Sequence, residues 1–194
     1  MKKILLSCAC LVLLNGCALT SHIPPTQSYF IPFKPITTEQ KGNKILKVEK
    51  PYFTRDLAST AMEYEKNGVL YEYAYSKWSS PVSEMLGNLL THMSETSGVF
   101  KDALMASSES KSDFILESTI LSFRQNVNEE NSSAIFEIKL SLINAQSKTL
   151  IDSKRFSYKE PCKEFSAKGG VDTFAFIMKQ FEKDVKLWLK NQPI

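Results

Sequence analysis

Histidine is scarce in this chain, with two in 194 residues, and glycine is little more common, with seven. Two imidazoles cannot supply the usual metal-ligand cluster, and they leave a nucleophilic triad only His92 to use in the folded body. Seven dispersed glycines form neither a phosphate-cradling loop nor a Gly-x-Ser-x-Gly elbow. Cysteine is equally restrictive. Of four, Cys8, Cys10 and Cys17 lie at the N-terminus and only Cys162 lies in the body, with no Cys-x-x-Cys redox pair downstream. The net charge of +3 includes Lys2 and Lys3, so there is no basic field suited to nucleic acid. The longest apolar run, Ile4 to Leu14, is too short for the ~20 residues that cross a bilayer as a helix. With no nucleophile–base pattern in view, the chain reads as a non-enzyme without a bound cofactor.

That apolar run has a layout of its own. Two lysines, a short hydrophobic stretch and then Leu14-Asn15-Gly16-Cys17 follow the order of a secretory leader ending in a bacterial lipobox. The small Gly16 suits the peptidase, and the Cys17 thiol takes a diacylglyceryl group before an N-acyl chain is added. Residues 1–16 are therefore expected to be removed as a signal peptide, together with Cys8 and Cys10. Residues 17–28 should form a lipid anchor and flexible tether, and residues 29–194 a single folded domain. The only prosthetic group expected is this covalent lipid on Cys17. Ala18, where an Asp would favour retention at the inner membrane, points to the outer membrane. Pro24-Pro25 gives the tether an extended, semi-stiff character. His22 lies in the tether and reads as solvated.

Within the domain, "ILKVEK" (45–50) alternates as a first strand. Asn67-Gly68 supplies the positive-φ pair of a tight hairpin between "AMEYEK" and "VLYEYAYSKW". Tyr71, Tyr73 and Tyr75 share one face of the second arm, either as a binding surface or as a sheet face covered by a helix. The alternating Glu63, Glu65 and Glu72 read as a solvated strand face. Ser80 then reads as an N-cap and Pro81 as the first helical residue. Val82, Met85, Leu86, Leu89, Leu90 and Met93 recur at helical spacing, and Gly98 closes the segment. His92 reads as a boundary residue at the edge of this stripe. Trp78 has two readings, a plug where helix and sheet meet or an anchor for a partner.

Three alternating runs follow, 113–125, 133–145 and 149–159, with short polar linkers that predict an antiparallel meander. Ala134, Phe136, Ile138, Leu140 and Leu142 fall on one face of the second run. Cys162 beside Pro161 reads as a small packed residue. A second helix is expected from Ala167 to Lys190, with Val171, Phe174, Met178, Phe181, Val185 and Trp188 or Leu189 inward. The predicted fold is α+β, an antiparallel-rich sheet in the order βββ-α-βββ-α with two helices packed on it.

The order of these features, over nearly all of the chain beyond the leader, resembles the ABC-type transport auxiliary lipoproteins, the PqiC-like family. The resemblance is carried by the lipobox and tether, "SYF" and "PYF", a hairpin, and "KWSSPVSEMLGNLL" with Trp78 and Pro81. "SGVF", the long alternating strands, Pro161 and a final helix ending near Trp188 complete it. The chain departs from the family at "DLASTAMEYEKNG", where relatives more often carry a compact stretch. The resemblance implies the lipoprotein partner of an ABC importer-like system with MCE proteins, which moves lipids or other hydrophobic molecules between the two membranes. It also implies an MCE-domain protein as partner and a capacity for homo-oligomerisation. The main rival is a structural outer-membrane assembly lipoprotein that binds a β-barrel.

Overall fold

The computed structural model describes residues 24–32, 34, 42–53, 59–128 and 131–194. Cys17, the leader, Ala18, His22 and the linker residues Glu129-Glu130 lie outside the described residues.

The core is assembled on one long strand. β7 (Phe114–Val127) pairs antiparallel along its whole length with β8 (Ser132–Asn144), and β8 pairs in turn with β9 (Leu150–Pro161). Alternation explains the ladder. Ala134, Phe136, Ile138, Leu140 and Leu142 of β8 are completely buried, whereas Glu137, Lys139 and Ser141 face the other way. Asn144 organises the turn into β9, its Oδ1 accepting from the Gln146 and Ser147 N–H groups. A bulge between Ile120 and Ser122 interrupts the alternation of β7. Phe114, Leu116, Ser118 and Ile120 face the core before it, and Phe123, Gln125 and Val127 after it, because the extra residue changes the parity.

Three short strands share the other edge of β7, all parallel to it: β2 (Ile45–Val48), β3 (Tyr52–Phe53) and β4 (Ala61–Lys66). β6 (Asp102–Met105) lies outside β2, also parallel. β5 (Val69–Trp78) forms the expected hairpin with β4, with Asn67 at φ 54° and Gly68 at φ 77°. β1 (Gln27–Tyr29) runs parallel to the end of β5, so the sheet begins inside the segment read as tether, 17–28.

The two helices are α1 (Val82–Glu95) and α2 (Ala167–Lys190). α1 packs on β2 and β6, α2 on β8 and β9, and the helices touch each other. The single-domain α+β class therefore holds, with two helices on a large sheet. The predicted strand order is corrected: among the described residues five strands precede α1 and four lie between the helices. The antiparallel-rich sheet is corrected to a mixed one, in which three antiparallel ladders are joined by five short parallel pairings. β1, β3 and β6, of two to four residues, carry no readable alternation, and parallel partners distant in sequence leave no local mark.

The start of α1 is corrected by one residue. Pro81, with ψ at 141°, is the N-cap itself, its carbonyl accepting from the N–H groups of Glu84 and Met85, and no side chain caps the helix. α2 has a side-chain cap, in which Ser166 Oγ accepts from Gly169 N–H at 2.9 Å.

Candidate functional site: an apolar groove and an aromatic cluster

Met85 and Leu89 lie at the edge of the apolar stripe of α1 and are only half-buried, unlike Val82, Leu86, Leu90 and Met93 beneath them. They form one wall of a groove of about 570 Å³. Ala103 and Met105 of β6 add a second wall, and Phe30 and Ile31, immediately after β1, add a third. Phe30 and Met105 are exposed apolar side chains, at 65% and 52%. The polar rim carries Asn88, Thr91, His92 and Glu95. His92 Nδ1 lies 2.9 Å from Glu95 Oε2, so the body's one imidazole is engaged at the helix surface. Thr91 donates to the Gly87 carbonyl at 3.0 Å, within its own helix. These walls offer apolar contact interspersed with a few polar groups, the makeup of a site for a hydrophobic ligand or side chain.

The Tyr stripe lies elsewhere, on the hairpin. Tyr71 stacks on its cross-strand partner Tyr64 at 5.3 Å between ring centroids, and Tyr73 approaches Tyr64 at 4.9 Å. Phe165, just before α2, packs edge-on against Tyr64 at 5.3 Å. Tyr73 donates to Gln125 Oε1 at 2.7 Å, and Gln125 Nε2 donates to Ser132 Oγ at 2.5 Å. Gln125 is 2% exposed, so this polar chain lies inside the fold. Burial, reinforced by Cys162 and Tyr64 nearby, raises the Tyr73 hydroxyl well above its ordinary pKa. The stripe is thus divided. Tyr73 is tied into the interior, while Tyr71 and Tyr75 keep exposed faces beside the outer edge of β5, which β1 pairs only at residues 76–78.

Trp78 is buried, with its ring 5.6 Å from Phe123 and 6.2 Å from Phe174. Its indole fills the junction of β5, β7 and α2. Pro81 lies at the head of α1. The groove and the hairpin cluster therefore have different lining residues and occupy separate places. Glu65, on the opposite sheet face, accepts from Asn126 at 3.2 Å and pairs with Arg124 at 2.7 Å. Cys162 is a partly buried free thiol. Among the described residues no cluster of His, Cys, Asp and Glu could hold a metal ion, and no helix is long and apolar enough to cross a membrane.

No protein-family model and no curated protein match the sequence. Solved structures do. A Xanthomonas campestris protein carrying the DUF330 family model is 18% identical, covers 82% of this chain and 92% of its own, and gives a TM-score of 0.72. The fold is that of the DUF330 protein. An uncharacterised protein of solved structure is also 18% identical, with 86% of this chain and 99% of its own covered at a TM-score of 0.65. A lipoprotein from Neisseria meningitidis superposes more loosely, at 11% identity, 72% and 99% coverage and a TM-score of 0.41.

The groove is what sequence reasoning missed. Met85 and Leu89 carry the helical period of a core stripe, and nothing local distinguishes them from the buried positions. Phe30 likewise sits in the apolar run 29–33, and only the fold shows that it is exposed.

Proposed function

We propose that this chain is a periplasm-facing lipoprotein, anchored through acylated Cys17, that serves as a non-catalytic accessory component of an MCE/ABC-type transport system. Such a system moves lipids or other hydrophobic compounds between the inner and outer membranes. Ala18 favours the outer membrane as the site of the anchor.

The observation that carries this reading is the junction between anchor and fold. Only ten positions separate Cys17 from Gln27, where β1 starts. Fully extended, that length spans at most ~35 Å. The domain is therefore held close to the bilayer, and the chain passes directly from β1 into the groove wall at Phe30 and Ile31. A hydrophobic groove beside a lipid tether suits the handling of a hydrophobic cargo or of the protein that carries it. His92 and Glu95, both largely exposed to solvent, engage each other at the edge of this groove.

Two measurements test the reading. Cys17→Ser is expected to abolish incorporation of labelled palmitate and to leave the leader attached; continued labelling of the variant refutes the anchor. Affinity purification of the wild-type lipoprotein from solubilised envelope is expected to recover an MCE-domain protein. Recovery of an outer-membrane β-barrel in its place refutes the transport role and supports the assembly role.

A further inference from the structure

The groove beside α1 lies within reach of the protein's own lipid. We propose that it is an acyl-chain site, and that its occupant is a chain of the lipid on Cys17. This rests on the lipidation of Cys17 proposed above.

The first argument is chemical. Six apolar side chains, Phe30, Ile31, Met85, Leu89, Ala103 and Met105, line a trough together with polar groups from α1 and Ser79. Methionine is unbranched and adaptable, and two of the six are methionines, which suits a flexible aliphatic chain better than a rigid ring. At about 570 Å³ the groove is of single-ligand size. It would therefore take one chain of the anchor and leave the others for the membrane.

The second argument is chain length. Phe30 follows β1 directly, and the three residues of β1 advance the chain by only ~10 Å. Residues 17–26 can span up to ~35 Å, enough to double back along β1 and bring Cys17 to the groove. Tethering decides between sources. A chain attached this close acts at a local concentration in the millimolar range, so it outcompetes a free lipid of equal intrinsic affinity. The consequence is a lipoprotein that shelters part of its anchor while out of the bilayer, and whose groove is vacated when that chain inserts.

The test uses the full lipidated protein, labelled in cells with a diazirine-bearing palmitate, extracted in mild detergent and diluted below the critical micelle concentration. After irradiation, peptide mass spectrometry is expected to find adducts on residues of α1 and β6 that line the groove. Met105→Asp alters a 52% exposed position, so folding should persist, as a circular-dichroism melt checks. It should reduce those adducts by about tenfold or more, because a carboxylate on the wall must be desolvated against the chain. Leu89→Asp is the second variant, read in the same way. Adducts confined to the tether or to residues 33–41, or unchanged in both variants, overturn the inference and leave the anchor intact. Equal adduct formation when free diazirine-palmitate is added to unlabelled protein also overturns it, by making the site a general lipid site. A protein that carries no lipid on Cys17 overturns the anchor and this inference together.

Discussion

Replacing Trp78 by alanine separates the two roles that its sequence position left open. The indole is 3% exposed and touches Phe123 of β7 and Phe174 of α2. Those two rings stack on each other at 4.0 Å, and Phe123 meets Phe136 edge-on, so Trp78 closes one end of an aromatic chain. Truncation removes the transfer free energy of the indole and leaves a cavity between elements fixed by long ladders, which cannot collapse to fill it. Buried Trp→Ala changes cost about 3–5 kcal/mol, and each lost aromatic pair accounts for about 0.5–1.5 kcal/mol beyond area. In a chain of this length each kcal/mol lowers Tm by about 2–4 °C, which gives a fall of about 6–20 °C. Urea unfolding followed by circular dichroism measures the free energy directly. Trp78→Phe should recover roughly half of the loss, because one ring still meets Phe123 and Phe174. A Trp78→Ala protein within about 0.5 kcal/mol of wild type, the range of a surface substitution, refutes the packing argument. Loss of partner capture without loss of stability would place Trp78 at an interface.

Three further outcomes follow from the same packing. Asp152 accepts from Trp188 Nε1 at 2.7 Å, Ser153 N–H at 2.7 Å and Gln192 Nε2 at 3.0 Å; these donors, Trp188 first, hold its carboxyl below the ordinary Asp range. Its contribution is therefore complete above the unfolded pKa of about 3.9 and is lost as pH falls through the lower folded value. Asp152→Asn should be less stable than wild type at pH 7, with the gap narrowing at pH 3; an equal gap at both refutes this. Gly170→Ala would place a Cβ 2.8 Å from Gln125 Oε1 and force apart the Tyr73–Gln125–Ser132 chain. The strain outweighs the ~1 kcal/mol that alanine gains over glycine inside a helix, so the variant should be less stable than wild type in urea unfolding. Ser166→Ala removes the α2 cap and should cost about 1 kcal/mol, against no effect for Ser80→Ala, since Ser80 caps nothing.

Much of the architecture is readable from local pattern. The β7–β9 meander shows itself because β8 alternates without a break, β7 alternates on either side of its one bulge, and each linker is short. The Asn67-Gly68 hairpin shows itself because the turn needs two positive φ angles. α2 shows itself through Phe174, Met178, Phe181 and Val185 on one face, all buried. The groove was less legible. Met85 and Leu89 belong to the same helical stripe as Leu86 and Leu90, and they differ only in what happens to lie above them. The Tyr stripe was legible as a face but not in its division, because the cover comes from Phe165, about ninety residues along the chain from Tyr73.

The sequence alone determines the periods, the turns, the helix faces and the lipobox, since each depends on residues within a few positions of one another. Tertiary structure decides the rest. It sets three short strands end to end along β7, makes the sheet mixed, buries Trp78 between Phe123 and Phe174, and leaves Met85, Leu89, Phe30 and Met105 lining an open groove. The physical reason is range: parallel pairing and groove walls join segments tens of residues apart, and which apolar side chain ends up covered depends on the neighbour that arrives.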